Sequence, residues 1–368
     1  MAGRLGREAL FTGALLAFLT AYAALTLTLS GASFGVYLGL LADHLRIAAS
    51  LWTLVALLAT GVLLRRGRVR PDGSSPSRRP SLARLVGEEL DRRWRRDRFL
   101  SLFTPPLLFA WLVATFNLFK QRVLPQAGFP LDPALAGLDR LLFGGVDAWR
   151  VTHGLIPSPW ATLAIDMLYH GWFLPMSLGV MICAFLPTTA DRLRMRYLLS
   201  FVAIWVLLGS GMASVLASAG PCFQPTAIGL ASGFEPLLAR LDAQDAWVAA
   251  RLSGGGLSAL DFQRGLLALH SSGRELAVGG GISAMPSIHN ALAALFAMAA
   301  FQLDRRAGWA MTAYAGLIWV GSVHLGWHYA VDGPVAVAAT AAIWRMSGGV
   351  ADLLLAGPAG VVPRRAQA

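Results

Sequence analysis

The sequence predicts an all-α fold, a polytopic membrane helix bundle with about eight transmembrane helices. Hydrophobic residues make up 56% of the 368-residue chain and charged residues only 14%, whereas charged residues are about a quarter of an average soluble domain. The mean hydropathy of +0.57 comes from several apolar runs near or above the ~18 residues that indicate a membrane span. The basic residues cluster between these runs, and every cluster falls on one side of an eight-span count. The composition therefore indicates an integral membrane protein and excludes an ordinary soluble domain.

The largest basic cluster lies between the second and third apolar runs. From Arg65 to Arg98 the chain carries 12 arginines against five acidic residues. In a soluble protein this excess would suggest a nucleic-acid partner, but between two spans it is typical of a cytoplasmic loop near anionic headgroups. A shorter loop with Arg192, Arg194 and Arg196 is cytoplasmic on the same rule. We therefore expect no nucleic-acid partner, cytoplasmic N- and C-termini and, from the high Arg and Ala content, a bacterial inner membrane.

The predicted spans follow the apolar runs in order. The first run is too long for the hydrophobic region of a cleavable signal. The segment 33–46 is less apolar and is expected at the outer interface. The third span tolerates Pro105 and Pro106 because they lie one turn from its start. The eight predicted spans are 9–29, 47–64, 99–119, 160–186, 197–219, 286–303, 308–325 and 331–346.

Two of the predicted outer loops are long, the one after the third span and the one after the fifth. Two short outer segments are predicted at 133–143 and 146–153. The loop 220–281 is much longer than an ordinary connection, and such loops are usually lids or binding segments. The chain is thereby divided into 1–64 (two N-terminal spans), 65–98 (basic cytoplasmic loop), 99–350 (six-helix catalytic bundle) and 351–368 (C-terminal tail).

The first group of reactive residues opens the sixth span. Pro286, Ser287 and His289 follow a run of glycines. Proline suits the first helical turn, where its missing N–H is no loss. The unpaired N–H groups and the positive end of the helix dipole there favour an anion. Ser287 and the neighbouring backbone N–H groups can therefore hold phosphate oxygens.

The second group, His328 and Asp332, lies one helical hairpin later. Their spacing places both on one helical face if the eighth span begins near His328. A carboxylate that accepts the N–H of one imidazole nitrogen leaves the other nitrogen free as a nucleophile or base. His289 can then protonate an oxygen leaving group, since a reference pKa of ~6.5 suits that role near neutral pH. These residues predict covalent phosphoryl transfer through histidine at one face of the membrane.

The same residues resemble the type 2 phosphatidic acid phosphatase superfamily of membrane lipid phosphatases and phosphotransferases. Its Pro-Ser-x-His motif is matched by Pro286, Ser287 and His289, and its His-x-x-x-Asp motif by His328 and Asp332. The resemblance covers the six spans that follow the basic loop and implies a six-helix lipid-phosphatase-like catalytic core. It implies His328 as a nucleophile that forms a phosphohistidine, Asp332 as its orienting partner and His289 as general acid and base.

The basic residues of the superfamily motifs are not matched. Gly321 and Ser322 stand where Ser-Arg is usual, and the first motif, Lys-x6-Arg-Pro, is not matched after Lys120. These departures are similar to the inositolphosphotransferase branch, which includes fungal inositol phosphorylceramide synthases and bacterial relatives. The resemblance implies that Lys120 neutralises the phosphate, with Arg122 and Arg274 as substitutes. An alternative is that Lys120 and Arg122 are only interfacial anchors.

The fourth span carries further polar residues. Asp166, Tyr169 and His170 share one helical face and either bind an acceptor headgroup or form a buried polar network between helices. His324, four residues before His328, either lines the site or makes a hydrogen bond at a helix end.

Other polar and aromatic residues have ordinary interpretations. His44, His153 and His270 fall in predicted loops or interfacial segments, where we expect them to be solvated. Tryptophans such as Trp172 and Trp327 are expected in an interfacial belt or in packing.

The sequence thus predicts a membrane lipid phosphotransferase or phosphatase with an extracytoplasmic site. The expected substrate is a phospholipid, a phosphoceramide-type lipid or a polyprenyl phosphate, and the expected partners are this lipid and the bilayer. Transfer to water would make the protein a phosphatase, and transfer to a lipid or polyol hydroxyl, which the long loop favours, a headgroup transferase. The chemistry requires no metal or other cofactor. A proton-coupled transporter would use similar residues, but transporters usually place them at the bilayer midplane.

Overall fold

A computed structural model describes residues 2–66, 99–225, 233–272 and 276–356. Most of the basic loop, most of the C-terminal tail and Arg274 lie outside these ranges. Within them the chain consists of helices and their connections, without a strand. The all-α fold that the sequence predicts is therefore confirmed.

In the part of the chain that the structure describes, four helices are long and apolar enough to cross a membrane. In the first two helices of the chain, only 33% and 22% of the most apolar stretch is buried inside the protein. In the third of the four, 72% of that stretch is buried. Large apolar side chains such as Leu10, Phe18 and Leu57 remain exposed on the outer surface of this pair, as expected for side chains that face lipid. These four helices are Gly6–Ser30, Phe34–Gly61, Leu100–Ala127 and Asp191–Val215. The predicted count of eight spans remains a prediction.

The N-terminal half begins with α1 and α2, which both pack on α3. The separate interfacial segment predicted at 33–46 is wrong, because α2 begins at Phe34 and continues through it. Its charged residues are satisfied within the helix, where Arg46 donates to Asp43 at 2.6 Å. The bounds of these helices are α1, Ala2–Ser30; α2, Phe34–Arg66; and α3, Phe99–Arg122.

Four shorter helices follow, and the first two coincide with the two short segments predicted at 133–143 and 146–153, whose position on the outer side remains a prediction. The predicted fourth span is helical but is interrupted by a turn at Gly171 and Trp172. This interruption places the C-terminal residues of one helix beside the candidate site. The helices are α4, Asp132–Leu142; α5, Ala148–Leu155; α6, Pro159–His170; and α7, Phe173–Cys183.

Helix α8, Asp191–Val215, has π-helical geometry from Ile204 to Met212. Its first turns contain the arginines predicted to lie in a cytoplasmic loop, and that interpretation is wrong in detail. Arg194 is fully buried and pairs with Glu8 of α1, because a buried guanidinium needs a counter-charge. Arg192 pairs with Asp352, and the guanidinium group of Arg196 lies over the ring of Trp344.

The C-terminal half contains two helices in the region predicted as a long loop, and then three core helices. Helix α11 packs against both α12 and α13, and its side chains from Asn290 to Ala297 are buried. Helix α13 continues to Ala356, six residues past the predicted end of the bundle. The bounds are α9, Glu235–Ala249; α10, Ser258–Ser272; α11, Ile288–Ala300; α12, Arg305–His324; and α13, Asp332–Ala356.

Candidate active site

The turn between α12 and α13 carries His328. Gly326 adopts a φ of +77° just after the end of α12, a conformation that glycine adopts at little cost. The backbone N–H groups of Trp327 and His328 both donate to the carbonyl oxygen of Ser322, at 2.9 and 3.1 Å. The turn therefore folds back on the last residues of α12 and fixes the backbone of His328.

His328 and Asp332 are hydrogen-bonded to each other. The Nδ1 atom of His328 lies 3.1 Å from Oδ2 of Asp332, and the backbone N–H of Tyr329 donates to the same oxygen at 3.1 Å. Asp332 is fully buried. The carboxylate orients the imidazole with Nδ1–H as donor, which leaves the Nε2 lone pair free. No described residue hydrogen-bonds Nε2, which is open to solvent.

His289 lies in the first turn of α11 and faces His328. Its ring lies between the rings of Tyr169 and Trp172, with centroid distances of 5.0 and 4.3 Å. The centroids of the two histidine rings are 6.0 Å apart, with 60° between their planes, so one phosphoryl group can contact both rings. The nitrogens of His289 have no hydrogen-bond partner among the described residues.

Ser287 is the N-cap of α11. Its Oγ accepts from the backbone N–H of Asn290 at 3.3 Å and from the Asn290 side chain at 3.0 Å, and the residue is fully buried. Such a cap typically contributes about 1 kcal/mol to stability. The hydroxyl therefore orients the turn that carries His289, and phosphate binding by Ser287 remains a prediction.

Lys120 lies at the end of α3, against the segment that leads into α11. Gly281 has a φ of +93°, and a Cβ there would lie 2.9 Å from both Cγ and the carbonyl oxygen of Lys120, so only glycine permits this approach. Gln121 holds the same segment by exchanging hydrogen bonds with the backbone of Ala277, at 2.9 and 3.0 Å. Lys120 interacts electrostatically with His289. Its ammonium group has no hydrogen bond or ion pair with the residues that the structure describes.

The two arginines considered as substitutes are placed differently. Arg122 is the last residue of α3, two positions after Lys120, and has interactions within the protein. Arg274 lies outside the described residues. Lys120 is therefore the one cation among these three candidates that the structure shows near His289 and without a protein partner.

Helix α6 brings Asp166, Tyr169 and His170 to the same place. Tyr169 stacks on His289 as described above, and the Nδ1 atom of His170 lies 2.9 Å from Oδ1 of Asp166. The carboxylate of Asp166 also accepts from the backbone N–H groups of Ser258 and Ala259, at 2.7 and 3.0 Å. Asp166 thus caps α10. Both predictions for Asp166, Tyr169 and His170, that they bind an acceptor headgroup or that they form a buried polar network, retain support.

Two carboxylates on α4 hold the site and were missed from the sequence. Asp132 accepts from the backbone N–H groups of Ala219 and Gly220, and from the Tyr329 hydroxyl at 2.6 Å. Asp139 accepts from two backbone N–H groups of the His328 turn, at 2.6 and 3.0 Å. Burial raises the pKa of both carboxyl groups, that of Asp139 to about 6. Their sequence signal is a spacing of seven residues, which places both acids on the buried face of an amphipathic helix.

A short segment after α8 connects the two groups of reactive residues. Ala284 donates from its backbone to Ser218 at 2.9 Å, and Cys222 donates to Gly326 at 2.8 Å. Gly220 has a φ of +99°, and a Cβ there would lie 2.5 Å from the carbonyl oxygen of Trp327. This segment therefore fixes the position of the His289 turn relative to the His328 turn.

His324 does not line the site. It is fully buried, its Nε2 lies 2.9 Å from Oγ1 of Thr162, and its ring stacks on that of His153 at 3.8 Å. His153 donates from Nε2 to the carbonyl of His324 and accepts at Nδ1 from Arg240, both at 2.9 Å. The prediction that His324 lines the cavity is therefore wrong, and its alternative role at a helix end is observed.

Two of the three histidines predicted to be solvated are buried. His153 is 2% exposed, and burial lowers its pKa to about 4. His44 is also 2% exposed and hydrogen-bonds the carbonyl of Leu40 at 2.7 Å. The sequence placed these two histidines in loops or interfacial segments, where side chains are solvated. In the structure both lie in helices that bury them. His270 is partly exposed and lies beside Phe129.

The position of the missing family arginine is closely packed. A Cβ at Gly321 would lie 3.1 Å from Ile165 and 3.3 Å from Tyr169. Ser322 is fully buried, and its hydroxyl donates to the carbonyl of Trp319 at 2.7 Å. The close packing of α6 on α12 at Gly321 helps to bring Tyr169 to His289.

Comparison with known proteins supports the superfamily. A human protein, anoctamin-5, is 31% identical over 132 residues, which are 34% of this chain and 14% of that protein. This chain therefore spans a small part of anoctamin-5, and the match carries no conclusion about activity. No solved structure matches. The family model of the PAP2 superfamily matches residues 133–346, from α4 to α13, with both histidine motifs included. Because that match covers more than half of the chain, this integral membrane protein belongs to the PAP2 superfamily of phosphatases and phosphotransferases.

Proposed function

We propose that the protein transfers a phosphoryl-containing headgroup of a membrane lipid through a phosphohistidine at His328. The observation that carries the proposal is the orientation of His328, whose Nδ1 faces a fully buried carboxylate while Nε2 is free. A histidine held in one tautomer by a carboxylate presents its other nitrogen as a nucleophile. The proposal places this site on the extracytoplasmic side of the membrane.

In the first half-reaction, Nε2 of His328 attacks phosphorus and the bond from phosphorus to the leaving oxygen breaks. His289 gives its proton to that oxygen, which requires a ring near the phosphate with a nitrogen not engaged elsewhere. Its centroid distance of 6.0 Å from His328 and its unpartnered nitrogens support this role. In the second half-reaction a hydroxyl attacks phosphorus, the P–N bond breaks, and His289 takes the hydroxyl proton back.

Two features stabilise the charge of the phosphate in this proposal. The ammonium group of Lys120 is free to pair with a phosphate oxygen, and the first turn of α11 directs backbone N–H groups toward it. Water as acceptor would make the protein a phosphatase, and an alcohol would make it a headgroup phosphotransferase. The enclosing helices α9 and α10 favour an organic acceptor, as in the inositolphosphotransferase branch that the sequence resembles.

The test is to trap the phosphoenzyme. Purified protein in detergent is mixed with 32P-labelled phosphatidic acid or 32P-labelled phosphatidylinositol and quenched in alkaline detergent, in which phosphohistidine survives. We expect label on the protein that is stable to base and lost in acid. His328→Gln should remove the label and lower turnover by about 10⁴-fold or more. Unchanged turnover in His328→Gln would overturn the proposal.

A further inference from the structure

The chain contains a second histidine–carboxylate pair near the proposed nucleophile. His170 and Asp166 are four residues apart on α6, and Nδ1 of His170 lies 2.9 Å from Oδ1 of Asp166. Asp166 is fully buried, and its carboxylate also accepts two backbone N–H groups of α10. Nδ1 of His170 also lies 3.0 Å from the backbone carbonyl oxygen of Asp166, which can only accept a hydrogen bond. Nδ1 of His170 is therefore the donor of the pair, and its Nε2 keeps a lone pair.

The free nitrogen of His170 faces space that a ligand can reach. The side chain is 18% exposed, and no described residue hydrogen-bonds its Nε2 atom. One face of its ring stacks on Phe262 of α10, with 5.0 Å between ring centroids. Its chain neighbour Tyr169 stacks on His289, with which His170 also interacts electrostatically. His170 thus lies beside the ring that exchanges protons in the proposed reaction, but it does not contact that ring.

We infer that Asp166 and His170 form the acceptor subsite, where Nε2 of His170 accepts a hydrogen bond from the hydroxyl compound that attacks the phosphohistidine. This inference rests on the proposed function. A fixed Nε2 lone pair accepts from O–H and cannot donate, so the subsite selects a ligand with a hydroxyl to spare. The acceptor must direct one O–H group to His289 and a second O–H group to His170. Water satisfies this with its two hydrogens, and a polyol satisfies it with two neighbouring hydroxyl groups, so these are the classes that fit.

The chemistry of the step balances without a further reactant. The attacking oxygen forms a bond to phosphorus as the bond from phosphorus to His328 breaks, and the proton of the attacking hydroxyl goes to His289. His170 keeps its protonation state and holds the acceptor in the orientation for attack, a contribution of proximity and orientation. Removing it should therefore slow the second half-reaction and leave the first one intact.

A purely structural role makes a different prediction. If Asp166 and His170 only fasten α10 to α6, then removing the imidazole should disturb formation and breakdown of the phosphoenzyme together. His170→Phe keeps an aromatic ring against Phe262 and removes Nε2, and His170→Gln offers an amide oxygen as an alternative acceptor. His270, on α10, provides the matched control, because His270→Phe changes a histidine of the same region that lies beside Phe129.

The experiment measures both half-reactions by rapid mixing with the 32P-labelled lipids, alkaline quench, and either no added acceptor or glycerol or inositol. In His170→Phe we expect phosphoenzyme to form within about twofold of the wild-type rate and to decay about 10- to 100-fold more slowly, so that it accumulates. His170→Gln should recover part of the decay rate, and His270→Phe should match the wild type.

Each outcome of this experiment is decisive. A larger loss in the arms with glycerol or inositol identifies an alcohol acceptor, and an equal loss in all arms identifies water. Parallel loss of formation and decay, or wild-type decay in His170→Phe, overturns the acceptor subsite alone. Absence of labelled wild-type protein during turnover overturns the proposed function, and with it the subsite.

Discussion

Five histidines lie near one another in this protein, and they fall into two groups with opposite surroundings. His170, His289 and His328 each keep at least one ring nitrogen that no described residue hydrogen-bonds, and all three surround the candidate site. His153 and His324 stack on each other at 3.8 Å and are at most 2% exposed. Both nitrogens of His153 are hydrogen-bonded.

The difference shows that a buried aspartate and a partly buried arginine direct an imidazole to different tasks. The carboxylate of Asp332 accepts from Nδ1 of His328, and the backbone carbonyl of Asp166 accepts from Nδ1 of His170. Both histidines therefore keep Nε2 free for a ligand. Arg240 donates to Nδ1 of His153, which forces Nε2–H to donate to a carbonyl. The first arrangement leaves a nitrogen available for a reaction, and the second uses both nitrogens to hold α5 and α9 at the end of α12. We therefore expect substitutions in the first group to change rates and those in the second to change stability.

The sharpest contrast is between His289→Gln and His324→Gln. Loss of a general acid should lower turnover by about 10²- to 10⁴-fold, while the thermal midpoint of His289→Gln stays close to that of the wild type. His324→Gln should lower the thermal midpoint but keep turnover per folded molecule within a few fold. Turnover with the labelled lipids and unfolding in detergent measure the two effects. If both variants lost activity and stability alike, the division into two groups would fail.

A smaller effect is expected at Lys120, which supplies charge to the first group. Lys120→Met should lower turnover by roughly 10²-fold, comparable with loss of one donor to a developing anion. Lys120→Arg keeps the charge and should retain more activity than Lys120→Met. The rate of phosphoenzyme formation is the measurement, and equal rates for the two variants would contradict a role of the charge.

The smallest effect concerns pH and the second group. Because burial lowers the pKa of His153 to about 4 from its ordinary 6.5, the unfolded chain binds a proton between these values that the folded protein does not. Stability is therefore greatest above pH 6.5 and falls as the pH decreases. When the pH is lowered from 6.5 to 5, His153 should reduce the free energy of unfolding by roughly 1–2 kcal/mol.

The measurement is the thermal midpoint in detergent at both pH values, for the wild type and for His153→Gln. The wild type should lose more stability than the variant over this interval. Asp139, whose raised pKa of about 6 gives the opposite slope, is present in both proteins, so its contribution cancels in the comparison. An identical pH dependence in the two proteins would show that His153 is not buried in its neutral form.

The sequence predicted the all-helical fold, the two short segments before the fourth span and the contact between His328 and Asp332, because these depend on local pattern. The pairing of His153 with His324 could not be predicted, since it depends on packing between residues 171 positions apart. Asp166 was considered for ligand binding or a buried network, but its role as the cap of α10 depends on a helix in a region that the sequence presented as a loop. Long-range contacts of this kind have no periodic signal in one sequence.

The segment that passes through Gly220 has a consequence for protein engineering. His289 and His328 belong to turns that are apart in the chain. The carbonyl of Ser218 accepts from the backbone of the first turn, and the N–H of Cys222 donates to the backbone of the second, so this segment holds one turn against the other. The distance between the two histidines is therefore set by residues that take no part in the proposed reaction. A designer who transplanted only the two histidine motifs onto another helical bundle would move the reactive groups without the segment that sets the distance between them. A transplanted site would need at least the His289 turn, the His328 turn, the segment through Gly220 and helix α4. The carboxylates of α4 bind the backbone of the Gly220 segment and of the His328 turn.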